Sequence, residues 1–331
     1  MAGSSKPDWS DLHARFQATL RSRPHLLPPQ ESLLVAVSGG QDSVCLLKLL
    51  LDLQPKWGWQ LGVAHCDHQM RSDSAANAQQ VSEMAGHWNL QFYQKTAERP
   101  LHGEAAARSW RYSALIELAE THGFSRVVTG HTKSDRAETL LHNLIRGSGL
   151  DGLAALSWQR PLTERVQLVR PMLEIGRSQT AQFCQQLQLP IWEDPTNQDT
   201  RYTRNQIRLH LIPALENINP GASNHLATTA ELLQADVEYL ESLASNLYTQ
   251  STQPDRPKLN RQQLTDAPLS LQRRVIRQFL LRWLPHAPNF AQVEKVTHLI
   301  TAPNRSQTDP FPGGSLARVQ HPWIELKPRS N

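Results

Sequence analysis

Two periods of apolar residues alternate along the first part of the chain. Short apolar runs at residues 33–37, 60–65, 90–93, 126–130 and 166–169 read as strands. Between them, apolar positions recur at three- and four-residue spacing over 44–50, 75–86, 104–122 and 177–187, as in helices that bury one face. A short amphipathic helix is predicted ahead of the first strand over 8–20, where Trp9, Leu12, Phe16 and Leu20 fall near one face and Pro28-Pro29 ends any continuation. Strand and helix in alternation predict an α/β fold: a mainly parallel sheet with helices on both faces, its functional residues gathered at the C-terminal ends of the strands. Near Ile218-Asn219-Pro220-Gly221 the pattern changes. Helical spacing at 222–246, 269–283 and 290–300 predicts a smaller, mostly helical second domain, which divides the chain into 1–217 and 218–331. Residues 253–258 and 303–314 read as loops.

Composition narrows the function classes. A chain of 331 residues, 39% apolar and 6% aromatic, can bury a sizeable core and suits a soluble protein. Its 34 Lys and Arg against 30 Asp and Glu leave +4, a basic excess that permits nucleic-acid binding without requiring it. Cys45, Cys66 and Cys184 form no CxxC pair, which suits a reduced compartment and argues against iron–sulfur or persulfide chemistry. Lys48 and Asp52 interrupt the apolar stretch 44–53, no run reaches membrane-spanning length and the first residues lack a secretory apolar segment, so cytoplasm is expected.

The most informative segment joins the first strand to the first long helix. Leu33-Leu34-Val35-Ala36-Val37 runs directly into Ser38-Gly39-Gly40-Gln41-Asp42-Ser43. Two glycines permit a turn whose exposed amides point at an anion, and the helix that follows presents its N-terminus to the same place. Ser38 and Ser43 add hydroxyl donors, whereas Asp42 repels a phosphate unless it holds Mg²⁺ or orients another polar group. A nucleoside triphosphate with Mg²⁺ therefore fits better than a phosphate monoester. No lysine stands beside the final serine, so the loop is not a Walker loop, and it is not GxGxxG.

Further polar clusters follow the other predicted strands. His65-Cys66-Asp67-His68, with Arg71 and Ser74, leaves the second strand; alternation puts His65 and Asp67 on one side and Cys66 on the other, which shapes a pocket better than it makes a metal site. Glu104, Arg108, Arg111 and Tyr112 share a helix, with Glu104 and Arg108 one turn apart. Thr129-Gly130-His131 ends another strand, and Asp135 and Glu138 on the next helix form an acidic edge able to hold a cation. Arg146-Gly147-Ser148-Gly149 suits a tight loop, while Arg170-Pro171-Met172-Leu173 reads as fixing the exit of the last strand. Trp192-Glu193-Asp194-Pro195-Thr196-Asn197 is a turn signal that leads into Arg201, Tyr202, Arg204, Asn205 and Arg208. In the second domain, Arg273, Arg274, Arg277 and Arg282 lie on one helix, and Trp283 can pack internally or stack on a base.

The SGGxDS loop resembles that of the PP-loop, or N-type, ATP pyrophosphatases, which cleave ATP between its α and β phosphates. Within that family the chain is similar to the lysidine synthases: it matches HxDHxxR from His65 to Arg71, EAxARxxRY from Glu104 to Tyr112, and EDPxN with RNxxR from Glu193 to Arg208. The segment from Gly130 to Thr139 resembles GHxxDDxAET with one departure, Ser134 in place of the first Asp. From about the first strand to Arg208 the likeness is specific; beyond that it is architectural. It implies ATP held by Ser38, Gly39, Gly40, Gln41, Asp42 and Ser43 with His65, Asp67 and His131, and Mg²⁺ on Asp42. It implies catalytic roles for Asp42, Arg108, Asp135, Glu138 and Arg204, with Arg108 holding a phosphate or the activated base and Arg204 and Arg208 touching ATP phosphate or the tRNA backbone. The expected reaction joins free L-lysine to C2 of the wobble cytidine of a CAU-anticodon tRNA(Ile), through an adenylated cytidine, with release of pyrophosphate and AMP. The expected partners are that tRNA, gripped by the second domain, and free lysine, with a homodimer as an admissible assembly and no membrane. Rival readings are another PP-loop enzyme, amidating a nucleotide or thiolating a tRNA base, and a non-catalytic tRNA binder, to which Ser134 gives its main support.

Overall fold

A helix α1 (Asp11–Ser22) precedes the first strand, β1 (Ser32–Ala36). The chain then runs through α2 (Gln41–Trp57), β2 (Gln60–Asp67), α3 (Ser74–His87), β3 (Gln91–Thr96), α4 (Glu104–His122), β4 (Arg126–Thr129) and α5 (Lys133–Ile145). A short α6 (Leu150–Leu153), β5 (Gln159–Pro161), β6 (Gln167–Val169) and α7 (Arg177–Gln186) follow. This computed structural model describes residues 9–69, 73–101 and 103–327, so Arg71 of the second polar cluster lies outside the described residues.

The six strands form one sheet in the order β3-β2-β1-β4-β6-β5, parallel except where β5 pairs antiparallel with β6. β1 carries an unbroken apolar run because both of its faces are covered. Leu33 and Val35 join a core with Phe16 and Leu20 of α1, Leu46 and Leu50 of α2 and Phe183 of α7. Leu34 faces the other way, onto Leu115, Leu118 and Ala119 of α4. Each such side chain, fully withdrawn from water, contributes about 1.5–3 kcal/mol. β5 escaped sequence reading because Gln159-Arg160-Pro161 has no apolar alternation; its pairing with β6 makes it a strand.

The strand order positions the site. From β1 the chain winds outward through β2 and β3, then returns to lay β4 on the opposite side of β1. That reversal opens a crevice at the C-terminal ends of β1 and β4, where ligands bind in open parallel sheets. Gly130, immediately after β4, closes against the start of α2: a Cβ there would lie 2.8 Å from the Asp42 carbonyl oxygen. Only glycine allows that approach, so the two loops meet.

After α7 come α8 (Thr203–Gln206), a π-helical turn (Ile207–Leu211), α9 (Ile212–Ile218) and α10 (Ala222–Ser251). Leu140 and Leu141 of α5 pack with Ile207 and Ala230, which anchors this helical segment beside the site. Two compact units, Met1–Leu233 and Gln234–Asn331, divide within α10. Apart from its share of α10, the second unit contains β7 (Thr252–Gln253), β8 (Arg256–Asn260), α11 (Gln262–Thr265), α12 (Leu269–Trp283), α13 (Phe290–Thr297), β9 (Leu316–Gln320) and β10 (Trp323–Lys327). Helices make up the larger part of it, as expected. A four-stranded antiparallel sheet, β7-β8-β10-β9, adds a layer that the sequence pattern does not mark, because its strands are two to five residues long and the first two, Thr252–Gln253 and Arg256–Asn260, are polar or proline-containing. Val275, Ile276 and Phe279 of α12 are buried against Val319 and Ile324 of that sheet.

Candidate active site

The loop between β1 and α2 is built as an anion cradle. Gly39 takes a φ of 86°, and a Cβ there would collide with the Asn77 side-chain oxygen and lie 3.2 Å from Trp192 Cβ. Asn77 Nδ2 donates to the Ser38 carbonyl at 3.0 Å, and the Trp192 amide donates to the Gly39 carbonyl at 2.9 Å. Ser43 Oγ donates to the Gly40 carbonyl at 2.8 Å and accepts the Ser38 amide at 3.2 Å, while Ser38 Oγ accepts the Gly40 amide at 3.3 Å. Carbonyls are thus turned back into protein, and the 17-residue α2 presents its positive end to the turn. His65 supports the cradle from behind: it is buried, and its Nδ1 donates to the Val37 carbonyl at 2.8 Å.

Beside this loop lies a network of carboxylates around one guanidinium. Arg177 Nε donates to Asp42 Oδ2 at 3.1 Å, and the same group stands 3.7 Å from Glu138 Oε1 and 3.9 Å from Asp135 Oδ1. Thr180, one turn further along α7, donates its hydroxyl to Asp42 Oδ1, and Gln41 Nε2 donates to Thr180 Oγ1 at 2.8 Å. Burial pushes the Asp42 carboxyl above its usual range even though Arg177 and Thr180 pull it down. Glu138, almost wholly buried, receives a two-pronged fork from Arg208, with Nε and Nη2 each at 2.7 Å. Asp135 caps α5 by accepting the Thr132 amide at 2.7 Å and the Thr132 hydroxyl at 2.8 Å through Oδ2. Burial raises the Asp135 pKa, but Arg177 and the Thr132 bonds pull against it, and the carboxyl lies below the ordinary value. Ser134, the departure from the family pattern, accepts the Arg177 amide at 3.3 Å through Oγ and so ties α5 to α7.

On the other flank, His131 accepts or donates at Thr129 Oγ1 at 2.9 Å through Nδ1. Burial drives its pKa down to about 3; Arg170, Arg108 and Arg204 add to the depression and Asp135 opposes it, so the ring is neutral at physiological pH. Arg204 donates to Glu104 at 3.2 Å and to Thr139 at 2.8 Å, which joins α8 to the start of α4 and the middle of α5. Arg108 is half-buried on the first turns of α4. Asp67 sits apart from the carboxylate network in its contacts: it accepts the Gln69 amide at 2.8 Å and the Ser74 hydroxyl at 3.3 Å, bracing the chain as it leaves β2.

Among the described residues no group of three or more His, Cys, Asp or Glu forms a cage. Magnesium in nucleotide sites is held by one or two carboxylates, the phosphates and water. Asp42 and Asp135 both face the Arg177 guanidinium, at 3.1 and 3.9 Å, and among the described residues Asp135 Oδ1 is approached by the guanidiniums of Arg177 and Arg208, each at 3.9 Å. This pair fits an ion that arrives with ATP.

Of the residues singled out by sequence, the loop 38–43, Asp135, Glu138 and Arg208 are drawn into one neighbourhood. Arg177 and Thr180 were overlooked. A faint signal existed: an arginine at the first position of a helix with no acidic residue in its first turn opposes the helix dipole and needs outside carboxylates.

Comparison with known proteins accords with this geometry. Residues 10–215 match the PP-loop domain family, and residues 259–322 match the TilS substrate binding domain. The chain is 60% identical to the tRNA(Ile)-lysidine synthase of a Nostoc strain, covering 96% of this chain and 97% of that protein. It is 48% identical to the enzyme of the same name from a Synechocystis strain, again over 96% of this chain and 97% of the relative. Among solved structures, the U34-tRNA thiolase NcsA from Methanococcus maripaludis aligns with a TM-score of 0.56 at 15% identity, over 67% of this chain and 78% of that one, a likeness of fold alone. A phosphate cradle at the sheet's reversal point, its carboxylate and guanidinium surround, and these matches along nearly the whole chain place the protein in the tRNA(Ile)-lysidine synthase family of ATP-dependent PP-loop ligases.

Proposed function

We propose that this ligase joins the ε-amine of free L-lysine to C2 of the wobble cytidine, position 34, of tRNA(Ile) bearing a CAU anticodon, with conversion of ATP to AMP and pyrophosphate. The observation that carries the reading is the pairing of the 38–43 cradle with an acidic neighbourhood, within a chain that matches lysidine synthases almost end to end. ATP lies with its phosphates on the loop amides of Gly39, Gly40 and Gln41 and the hydroxyls of Ser38 and Ser43. His65 and His131 shape the pocket, and Asp67 braces its rim. Asp42 and Asp135 are the residues that would hold Mg²⁺, whose charge would lower the repulsion among the phosphates.

In the first half-reaction, cytosine O2 attacks the α phosphorus, the bond to the bridging oxygen breaks, and pyrophosphate departs. Arg108 stabilises the charge that builds on the transferring group. Arg204 positions the phosphates from α8. In the second half-reaction, the neutral ε-amine attacks C2, the carbon–oxygen bond breaks, AMP leaves with that oxygen, and the nitrogen gives up a proton. Activation is required because O2 of a free pyrimidine is a poor leaving group. The acidic edge of Asp135 and Glu138, the latter clamped by Arg208, draws the lysine ammonium in, and its proton passes to water. Residues 218–331 grip the tRNA, and residues 1–217 perform the chemistry.

The test is incubation with labelled lysine, ATP, Mg²⁺ and the CAU transcript, followed by mild alkali that strips aminoacyl esters. Label that survives, and that needs ATP, is the expected outcome. Complete loss of label on alkali treatment, with substrates intact, would reject the reading.

A further inference from the structure

A second cluster of guanidiniums lies on the same unit and has no internal counter-charge. Tyr112, on α4, is flanked by two cations: the Arg108 guanidinium carbon is 5.1 Å from its ring centroid, and that of Arg160, on β5, is 4.8 Å away. Arg170, the residue after β6, completes the group. It is 2% exposed, its Nη1 donates to the Ser157 carbonyl at 2.7 Å, a side-chain hydrogen bond links it to Tyr112, and among the described residues its buried Nε finds no acceptor. Among the described residues no carboxylate forms an ion pair with Arg108, Arg160 or Arg170, although Arg136, Arg177, Arg204 and Arg208 on the same unit all have one. Burial raises the Tyr112 pKa, yet the charges of Arg108, Arg170 and Arg160 and the hydrogen bond with Arg170 outweigh it and hold the phenol below its ordinary value, in keeping with a positive potential there. Burying a guanidinium with a donor unmet is costly unless something supplies the acceptor.

We propose that Arg160, Arg170 and Tyr112, with Arg108 at the rim, form a binding site for one phosphate group, distinct from the 38–43 loop. A tetrahedral phosphate offers several acceptor oxygens to planar guanidinium forks, which explains why arginines rather than lysines line the site. The Tyr112 ring keeps Arg108 and Arg160 apart and fixed, so that less rotamer freedom is lost when the anion arrives. The phosphate is carried either by the RNA backbone or by the nucleotide. The site rests on the ligase reading only for the choice of RNA as a probe.

The test is direct binding, with no ligation step. Titrations of CAU-anticodon tRNA(Ile), ATP and inorganic pyrophosphate are run on the intact protein and on Arg160→Ala, Arg160→Lys and Arg170→Gln, each checked for folding by circular dichroism and urea denaturation. If the backbone is the source, Arg160→Ala weakens tRNA binding about fivefold or more, and the slope of log affinity against log salt falls by about one; Arg160→Lys recovers the slope. If the nucleotide is the source, ATP or pyrophosphate affinity falls by a similar factor while tRNA affinity stays. Unchanged affinity for all three probes in folded Arg160→Ala overturns the site, and that variant decides alone should Arg170→Gln not fold. A wild-type protein that binds tRNA but incorporates no lysine would reject the ligase reading and leave this site standing.

Discussion

Arg177 and Arg170 are both arginines at the C-terminal edge of one sheet, and their surroundings are opposite. Arg177 is ringed by Asp42, Asp135 and Glu138, so its charge is answered within the protein. Arg170 is buried deeper, has Arg108 and Arg160 for neighbours, and leaves a donor unmet. The difference separates two jobs for one side chain. A guanidinium among carboxylates holds elements together and opposes the effect of burial on the acids; a cluster of guanidiniums without carboxylates is completed by an anion from outside. The site is therefore asymmetric, acidic towards α5 and α7, basic towards α4 and β5, and a reaction that brings a cationic amine to a polyanionic RNA and nucleotide needs both sides.

The largest effect is expected on the basic side. Arg108→Ala should lower lysine incorporation by about 10²–10³-fold, the cost typical of losing one donor to transition-state charge, with tRNA affinity held within a few fold. A loss of tRNA binding that accounts for the whole defect would move Arg108 from catalysis to docking. On the acidic side the expected damage is to the fold as well as the chemistry. Glu138→Ala leaves the Arg208 fork without its carboxylate, and breaking a buried pair from one side costs about 3–5 kcal/mol; urea denaturation should show a loss near the lower end, because Arg208 keeps some contact with water. Unaltered stability would show that the fork is not a structural tie.

His131 lies between the two sides, and its titration tests that placement. Its folded pKa of about 3 is depressed from 6.5, so the unfolded chain takes up a proton first as pH falls. The stability this group contributes is present above about pH 6.5 and declines from there down towards about pH 3. His68, depressed to about 4 by burial and by Arg111, acts in the same sense. Asp42 acts in the opposite sense, since its raised pKa gives stability below 3.8 that is lost as pH rises through the folded value. Replacing His131 by Asn isolates its share: the urea midpoint should fall less steeply between pH 6.5 and 4 than in the parent. An identical slope would place His131 in water rather than beneath the arginines. The smallest effect is expected at Ser134. Ser134→Ala removes one hydroxyl acceptor for the Arg177 amide, worth about 0.5–1.5 kcal/mol, and should leave incorporation within tenfold. A larger fall in activity would give Ser134 a part in the chemistry.

What could be read from the sequence follows the range of the interactions involved. The 38–43 loop was legible because strand, glycine turn and helix are contiguous, and each residue's role follows from its neighbours. Asp135 and Glu138 were legible for the same reason, as residues one turn apart at the head of a helix. Arg177 was not, because its importance lies in a contact across 135 positions to Asp42. Arg160 escaped for a similar reason: nothing in Gln159-Arg160-Pro161 marks it until β5 lays it beside Tyr112. Arg170 reads as a strand-exit residue, and only the unmet Nε donor among its contacts distinguishes it. The sheet of the second unit was hidden because its strands are short and gain their identity from pairing with one another.

On the proposed reading, the acidic and basic sides serve two successive steps through an adenylated base. ATP labelled at its α phosphate is incubated with the protein and CAU-anticodon tRNA(Ile) while lysine is withheld. Label should become attached to the tRNA, with pyrophosphate released in equal amount, and added lysine should discharge that label as AMP. Label that never enters the tRNA, with AMP formed at the same rate whether or not tRNA is present, would contradict it.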